Sequence, residues 1–208
     1  MRLGLFGGTF DPPHVAHLIV AQDALRVLDL DRIVFVPAAV PPHKRTAPIT
    51  DAALRLVMVR AALAGDDRFV VDDIELERPG PSYTVDTLRT YRDRHRDAAL
   101  FLLLGADQYA DFATWRETDA IHQLATLAVL RRGGDSGSDG DGDGASDEGI
   151  LRVAVTRIDV SSTDIRRRVA AGEPIHYLVP AAVERLIRER ALYSPPGGGA
   201  PNRTMAAG

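Results

Sequence analysis

The chain contains no cysteine, which excludes disulfides, thiolate metal sites and thiol nucleophiles together. No apolar run approaches the ~20 residues that a membrane helix needs. Met1-Arg2 leads directly into a β-like run with no signal-peptide pattern, so the expected location is the cytosol and no membrane partner is expected. Positive charge is not in excess: Lys and Arg number 25 against 29 Asp and Glu, a formal net charge of -4. Aromatics make up only 6% of the residues, and no Lys/Arg run alternates with them. Nucleic acid is therefore not an expected partner, and any anion must be recognised locally.

What is present has the composition of an ordinary globular domain, with 45% apolar and 26% charged residues in 208. Short β-rich runs occur at Leu3–Phe6, Ile33–Pro37, Phe69–Leu76, Leu100–Leu104, Thr126–Leu130 and Leu151–Ile158. Helical spacing lies between most of them, at Leu18–Leu28, Ala52–Leu63, Val85–Tyr91 and Ala120–Leu124. This alternation predicts an α/β fold, a Rossmann-like doubly wound parallel sheet in one domain over residues 1–193. Leu100–Leu104 is apolar throughout, as a strand covered on both faces should be.

Two segments depart from the alternation. Residues 133–149, "GGDSGSDGDGDGASDEG", have too little apolar surface to offset their ordering entropy and are expected to be a flexible acidic insert. Residues 194–208 are read as a disordered C-terminal tail. Asp139, Asp141, Asp143 and Gly144 match the first half of a calcium-binding EF-hand loop. The match ends there, because Ile150 stands where a bidentate Glu is needed.

"GGTFDPPHVAHL", Gly7–Leu18, follows the first β-like run. Gly7 and Gly8 remove Cβ atoms at a strand's carboxyl end and permit a left-handed turn into a helix. Asp11-Pro12-Pro13 sets an extended turn, and a helix starts between His14 and His17. Its free N–H groups and partial positive charge form an anion site, with both imidazoles on one side of the first turn. The glycines fit neither the dinucleotide-binding nor the P-loop pattern. Two alternatives stay open here: a metal site built from Asp11, His14 and His17, and histidines that only cap the turn and pack.

"DVSSTDIRRRV", Asp159–Val169, follows the last β-like run. Ser161, Ser162 and Thr163 supply hydroxyls and an N-cap for a helix whose first turn is expected to carry Arg166. Hydroxyls, N–H groups and a guanidinium fork at one helix start suit a polyphosphate, although a capped surface helix with a basic face has the same pattern.

The two stretches resemble the signatures of the bacterial nicotinate mononucleotide adenylyltransferases, a branch of the nucleotidylyltransferases. The first is Gly-Gly-(Ser/Thr)-Phe-Asp-Pro-x-His-x-Gly-His, at Gly7–His17, and the second is (Ile/Val)-Ser-(Ser/Ala)-Thr-x-Ile-Arg, at Val160–Arg166. "VPAAVPPHK" (Val36–Lys44), "RPGPSYTVDTL" (Arg78–Leu88), "LLGADQYADFATW" (Leu103–Trp115) and "AVLRRGG" (Ala128–Gly134) are similar to the nicotinate branch in particular. The resemblance implies that Gly7, Gly8, Phe10, His14 and His17 surround the ATP phosphates. It implies further that Gly105 and Asp107 meet the adenosine, and that Ser161, Ser162 and Arg166 hold the distal phosphates. Thr84, Trp115 and Arg132 would serve the pyridine nucleotide, with Trp115 stacked on the nicotinate ring, and Lys44 would add charge near the reacting phosphates. Two departures stand out: Ala16 replaces the glycine between the histidines, and Arg132-Gly133-Gly134 replaces Arg-Pro-Gly.

The resemblance implies adenylyl transfer from ATP to nicotinate mononucleotide, giving deamido-NAD and pyrophosphate, with Mg²⁺ carried mainly by the ATP phosphates. An anionic phosphate nucleophile needs no general base, and charge neutralisation is what the protein must supply. The competing readings are an adenylyl- or cytidylyltransferase acting on another phosphate monoester, and a non-catalytic nucleotide sensor.

Overall fold

The computed structural model describes residues 1–40, 49–132 and 149–195. Lys44, residues 133–148 of the acidic insert with its EF-hand-like run, and residues 196–208 of the tail lie outside the described residues, as does the side chain of Arg132.

Six parallel strands, β1 (Arg2–Gly8), β2 (Arg32–Pro37), β3 (Phe69–Val71), β4 (Ala99–Gly105), β5 (Thr126–Arg132) and β6 (Ile150–Val155), form one sheet in the order β3-β2-β1-β4-β5-β6. This is the doubly wound arrangement expected from the alternation of runs. Helices α1 (Val15–Val27) and α2 (Ala52–Leu63) pack on one face with Phe35, Leu103 and Leu130. On the other face α4 (Thr84–Arg94) and α6 (Thr118–Leu124) bury Val85, Leu88 and Ile121 against Leu3, Leu102 and Leu104. Helices α7 (Ser162–Ala170) and α8 (Ala181–Glu189) close on α2 through Met58, Ile165, Val183 and Ile187. Among the described residues, no helix is long and apolar enough to cross a membrane.

Several local expectations require correction. The run Phe69–Leu76 is not one strand: β3 stops at Val71, because Asp72 Oδ1 accepts from the Ile74 amide and the chain turns into the short helix α3 (Ile74–Glu77). β6 ends at Val155 rather than Ile158, since the Thr156 amide leaves the ladder to donate to Asp23 Oδ2 on α1, 2.7 Å away. Arg166 lies in the second turn of α7, one position beyond the expected first turn, because the helix starts at Ser162.

Candidate active site

β1 and β4 are adjacent at the centre of the sheet, and the connections leaving their carboxyl ends run to opposite sides. That divergence opens a crevice where open α/β sheets take ligands. A cleft of about 1060 Å³ occupies it. Gly7, Gly8, Phe10, His14 and His17 line it from the first signature, and Ser161, Ser162 and Arg166 from the second. Gly105, Asp107, Thr84 and Trp115 line the same cleft. The tertiary structure thus brings together residues that the sequence holds about 150 positions apart, as the separation of Pro12 and Ser162 illustrates.

The left-handed turn after β1 is made by Phe10 (φ 50), not by the glycines. The glycines serve space instead. A Cβ on Gly8 would come within 2.8 Å of the Phe10 ring, whereas one on Gly7 would meet nothing within 4 Å and would project into open space. Phe10 is buried, and its ring meets His17 edge-on with centroids 5.1 Å apart. It supports the histidine from below.

His14 is the N-cap of α1. Its amide donates to His17 Nδ1 at 3.1 Å, and the two rings stack with centroids 3.7 Å apart. A ring nitrogen that accepts from an amide is unprotonated, so His17 carries its proton on Nε2 as a neutral donor. The same device recurs after β4, where the Gly105 amide donates to Gln108 Oε1 at 3.2 Å. The first turn of α1 offers fewer free amides than expected, because Val15 N–H donates to Leu178 O and His17 N–H to His14 O, both at 3.0 Å.

The second signature locks onto the first. Ser162 Oγ donates to Pro12 O at 2.8 Å, and Arg166 Nη1 donates to Asp11 O at 2.7 Å. Ser161 caps α7 by accepting from the Asp164 amide at 3.1 Å. Arg166 thus orders the β1–α1 loop with part of a fork that carries five N–H donors.

Sequence reasoning missed Arg55 and Tyr193 beneath this loop and took Asp11 only for a turn residue or a metal ligand. Asp11 is buried, with Oδ1 accepting from the Tyr193 hydroxyl at 2.7 Å and Oδ2 from the Thr50 amide at 3.2 Å. Arg55, 1% exposed, donates to the carbonyls of Thr9, Ala39 and Thr50 at 2.8, 3.1 and 2.9 Å. Burial lowers the pKa of its guanidinium, with Asp11 and Asp51 opposing that shift. One signal was available in the sequence: an arginine inside the apolar stretch Ala52–Leu63 has to be paired if that helix packs. Nothing in the sequence pointed to Tyr193.

No group of three or more His, Asp or Glu side chains able to hold a metal ion occurs among the described residues. With its carboxylate already accepting from Tyr193 and Thr50, Asp11 is part of the loop's scaffold. The groups that the two signatures bring to the cleft include imidazole, amide, hydroxyl and guanidinium donors, which suit phosphate oxygens, while Asp107 and Asp111 line it after β4.

At the other end of the cleft, Arg116 stacks over the Tyr83 ring at 4.9 Å and pairs with Glu117 at 3.2 Å. Trp115 packs against Phe112 with ring centroids 5.6 Å apart. Thr84 is the first residue of α4, so the start of that helix faces the same space.

The fold and cleft are those of a nucleotidyl-transferring protein: the chain belongs to the cytidylyltransferase-like family, whose model matches residues 5–168. It is 45% identical over 192 residues, 92% of this chain and 96% of the relative, to a Shouchella clausii protein named a probable nicotinate-nucleotide adenylyltransferase. A Thermus thermophilus protein with the same name is 45% identical over 193 residues, 93% of this chain and all of the relative. Within the family, the chain therefore groups with the nicotinate-nucleotide adenylyltransferases. The fold is shared with the Plasmodium falciparum nicotinic acid mononucleotide adenylyltransferase solved with NaAD, at a TM-score of 0.74 and 18% identity over 92% of this chain and 97% of that one.

Proposed function

We propose that this protein transfers the adenylyl group of ATP to nicotinate mononucleotide, forming nicotinate adenine dinucleotide and pyrophosphate. The observation that carries the reading is the single cleft at the β1/β4 divergence, lined by both signatures, in a chain 45% identical to nicotinate-nucleotide adenylyltransferases along nearly its whole length. A phosphate oxygen of the mononucleotide attacks the α-phosphorus, a new P–O bond forms, and the bond to the bridging oxygen breaks as pyrophosphate departs. The nucleophile is already an anion, so the protein's work is alignment and charge neutralisation.

His17 Nε2–H, His14 and the remaining N–H donors of Arg166 would meet the triphosphate, with Gly7 leaving room for its close approach. Lys44 would add positive charge there. Ser161 and Ser162 would position the α7 end against the distal phosphates, and Gly105 and Asp107 would take the adenosine. Thr84, Trp115 and Arg132 would hold the pyridine nucleotide, the ring against Trp115. Mg²⁺ would arrive bound to the ATP phosphates and supply further neutralisation of the developing charge. Residues 1–193 would act as one catalytic unit in the cytoplasm. A pyrophosphate-release assay over a panel of phosphate-monoester acceptors tests the assignment, with release expected for nicotinate mononucleotide. Nucleotide binding with no release for any acceptor would mark a sensor instead.

A further inference from the structure

Glu75 is a buried carboxylate that lines the acceptor end of the cleft, and the chemistry above gives it no role. It accepts from the Thr87 hydroxyl on α4 at 2.7 Å. Thr87 Oγ1 in turn accepts from Arg78 Nη2 at 2.6 Å, and the Arg78 guanidinium lies 3.9 Å from Glu75 itself. The Ser82 hydroxyl helps to stabilise the charge of the same carboxylate. Ser82 Oγ accepts from the Ala39 amide at 2.9 Å, and the Ser82 amide donates to Val40 O at 3.2 Å. The carboxylate thus joins Arg78 to the first turns of α4, and Ser82 in the same segment ties it to the chain leaving β2.

We propose that Glu75 is a positioning residue for the pyridine nucleotide: by gripping Thr87 and facing Arg78 it fixes Tyr83, Thr84 and the start of α4 against the acceptor. The proposal rests on the reading that Thr84 and Trp115 hold that acceptor. The bonding pattern calls for the ionised form. A carboxylate can accept from both hydroxyls and face Arg78, whereas an amide in its place turns an NH₂ toward one of them. Burial pushes the Glu75 carboxyl above the usual carboxylate range, while Thr87, Ser82 and Arg78 pull the other way. Holding this group ionised therefore costs stability, as expected of a residue kept for its position rather than for the fold.

The test compares wild type with Glu75→Gln and, as a variant that leaves the carboxylate untouched, Thr87→Val. Trp115 is the chain's one tryptophan and lines the cleft, so quenching of its fluorescence reports mononucleotide binding without turnover. Both variants should raise Kd and KM for nicotinate mononucleotide about tenfold, the worth of one charge-assisted hydrogen bond. KM for ATP and kcat should stay within about threefold by the same logic. Thr87→Ser should restore wild-type values, and Glu75→Gln should unfold in urea at no lower concentration than wild type. Unchanged mononucleotide affinity in both variants overturns the proposal, and so does a parallel rise of both KM values together with lost stability. A wild-type protein that binds nicotinate mononucleotide but does not adenylylate it leaves this test intact through Kd and sinks the reaction. One that does neither sinks both.

Discussion

The Tyr193 hydroxyl donates to Asp11 Oδ1 across 2.7 Å, joining the end of the described chain to the loop after β1 over a separation of 182 residues. Asp11 also presents its backbone carbonyl to Arg166, so the same residue links the C-terminal segment, the α7 signature and the glycine loop. Burial pushes the Tyr193 hydroxyl pKa far up, Thr50 lowers it and Asp11 raises it again, so Tyr193 remains a donor through neutral and mildly alkaline pH.

Tyr193→Phe should therefore leave a buried carboxylate short of one donor, at a cost of about 1–3 kcal/mol. The urea midpoint should fall without a change in the slope of the transition. Because the loop it steadies carries His14 and His17, KM for ATP should rise as well. An unaltered midpoint would show that the bond contributes nothing.

Arg55→Met leaves the carbonyls of Thr9, Ala39 and Thr50 without their shared donor and Asp11 without its nearby cation. Breaking a buried charged network of this kind costs about 3–5 kcal/mol. For a chain of this size, that lowers Tm by on the order of 10 °C in calorimetry. Arg55→Lys should not restore stability, since a single ammonium cannot span the three carbonyls that a planar fork reaches.

His17→Ala should lower kcat by on the order of 10² to 10³, with a much smaller change in ATP affinity, because in the proposed reaction the Nε2 donor would act on charge that develops in the transition state. Steady-state kinetics over a range of Mg-ATP concentrations separates the two. A kcat within about threefold of wild type would assign His17 to packing beside Phe10 and His14.

The pH dependence of stability reports Glu75. Its folded pKa lies above its ordinary 4.5, so the folded state holds the proton more tightly than the unfolded state. Its contribution is fully present below pH 4.5 and is lost as pH rises through the folded pKa. The unfolding free energy of wild type minus that of Glu75→Gln, measured in urea across this window, should decline as pH rises. A pH-independent difference would contradict the shift.

Nicotinate carries a carboxylate where nicotinamide carries an amide, and with the ring against Thr84 and Trp115 as proposed, the N–H groups at the start of α4 would favour the anion. The ratio of kcat/KM for the acid mononucleotide to that for the amide should be roughly 10² or more. Equal values would sink the nicotinate assignment and leave adenylyl transfer in place.

The sequence by itself determined the sheet, because buried parallel strands must be apolar on both faces and their helices amphipathic. Leu100–Leu104 and Val85–Tyr91 are legible for that reason. It showed the two signatures as well, but through their resemblance to a known family, since a glycine pair, a proline turn and paired histidines at a strand end left other readings open. Where a short run mixes strand and turn chemistry, local reading failed: Phe69–Leu76 looks continuous until the Asp72 side chain captures the Ile74 amide. Only the tertiary structure decided which donors are left for a ligand. Ser162 and Arg166 read as anion ligands or as part of a capped basic helix, yet both hold the carbonyls of residues in the first signature. The scaffold of Arg55, Asp11 and Tyr193, and the grip of Glu75 on Thr87, depend on bonds between segments that meet only when the sheet has formed. A carbonyl in need of a donor leaves no trace in the sequence around it, and so no spacing along the chain could have revealed them.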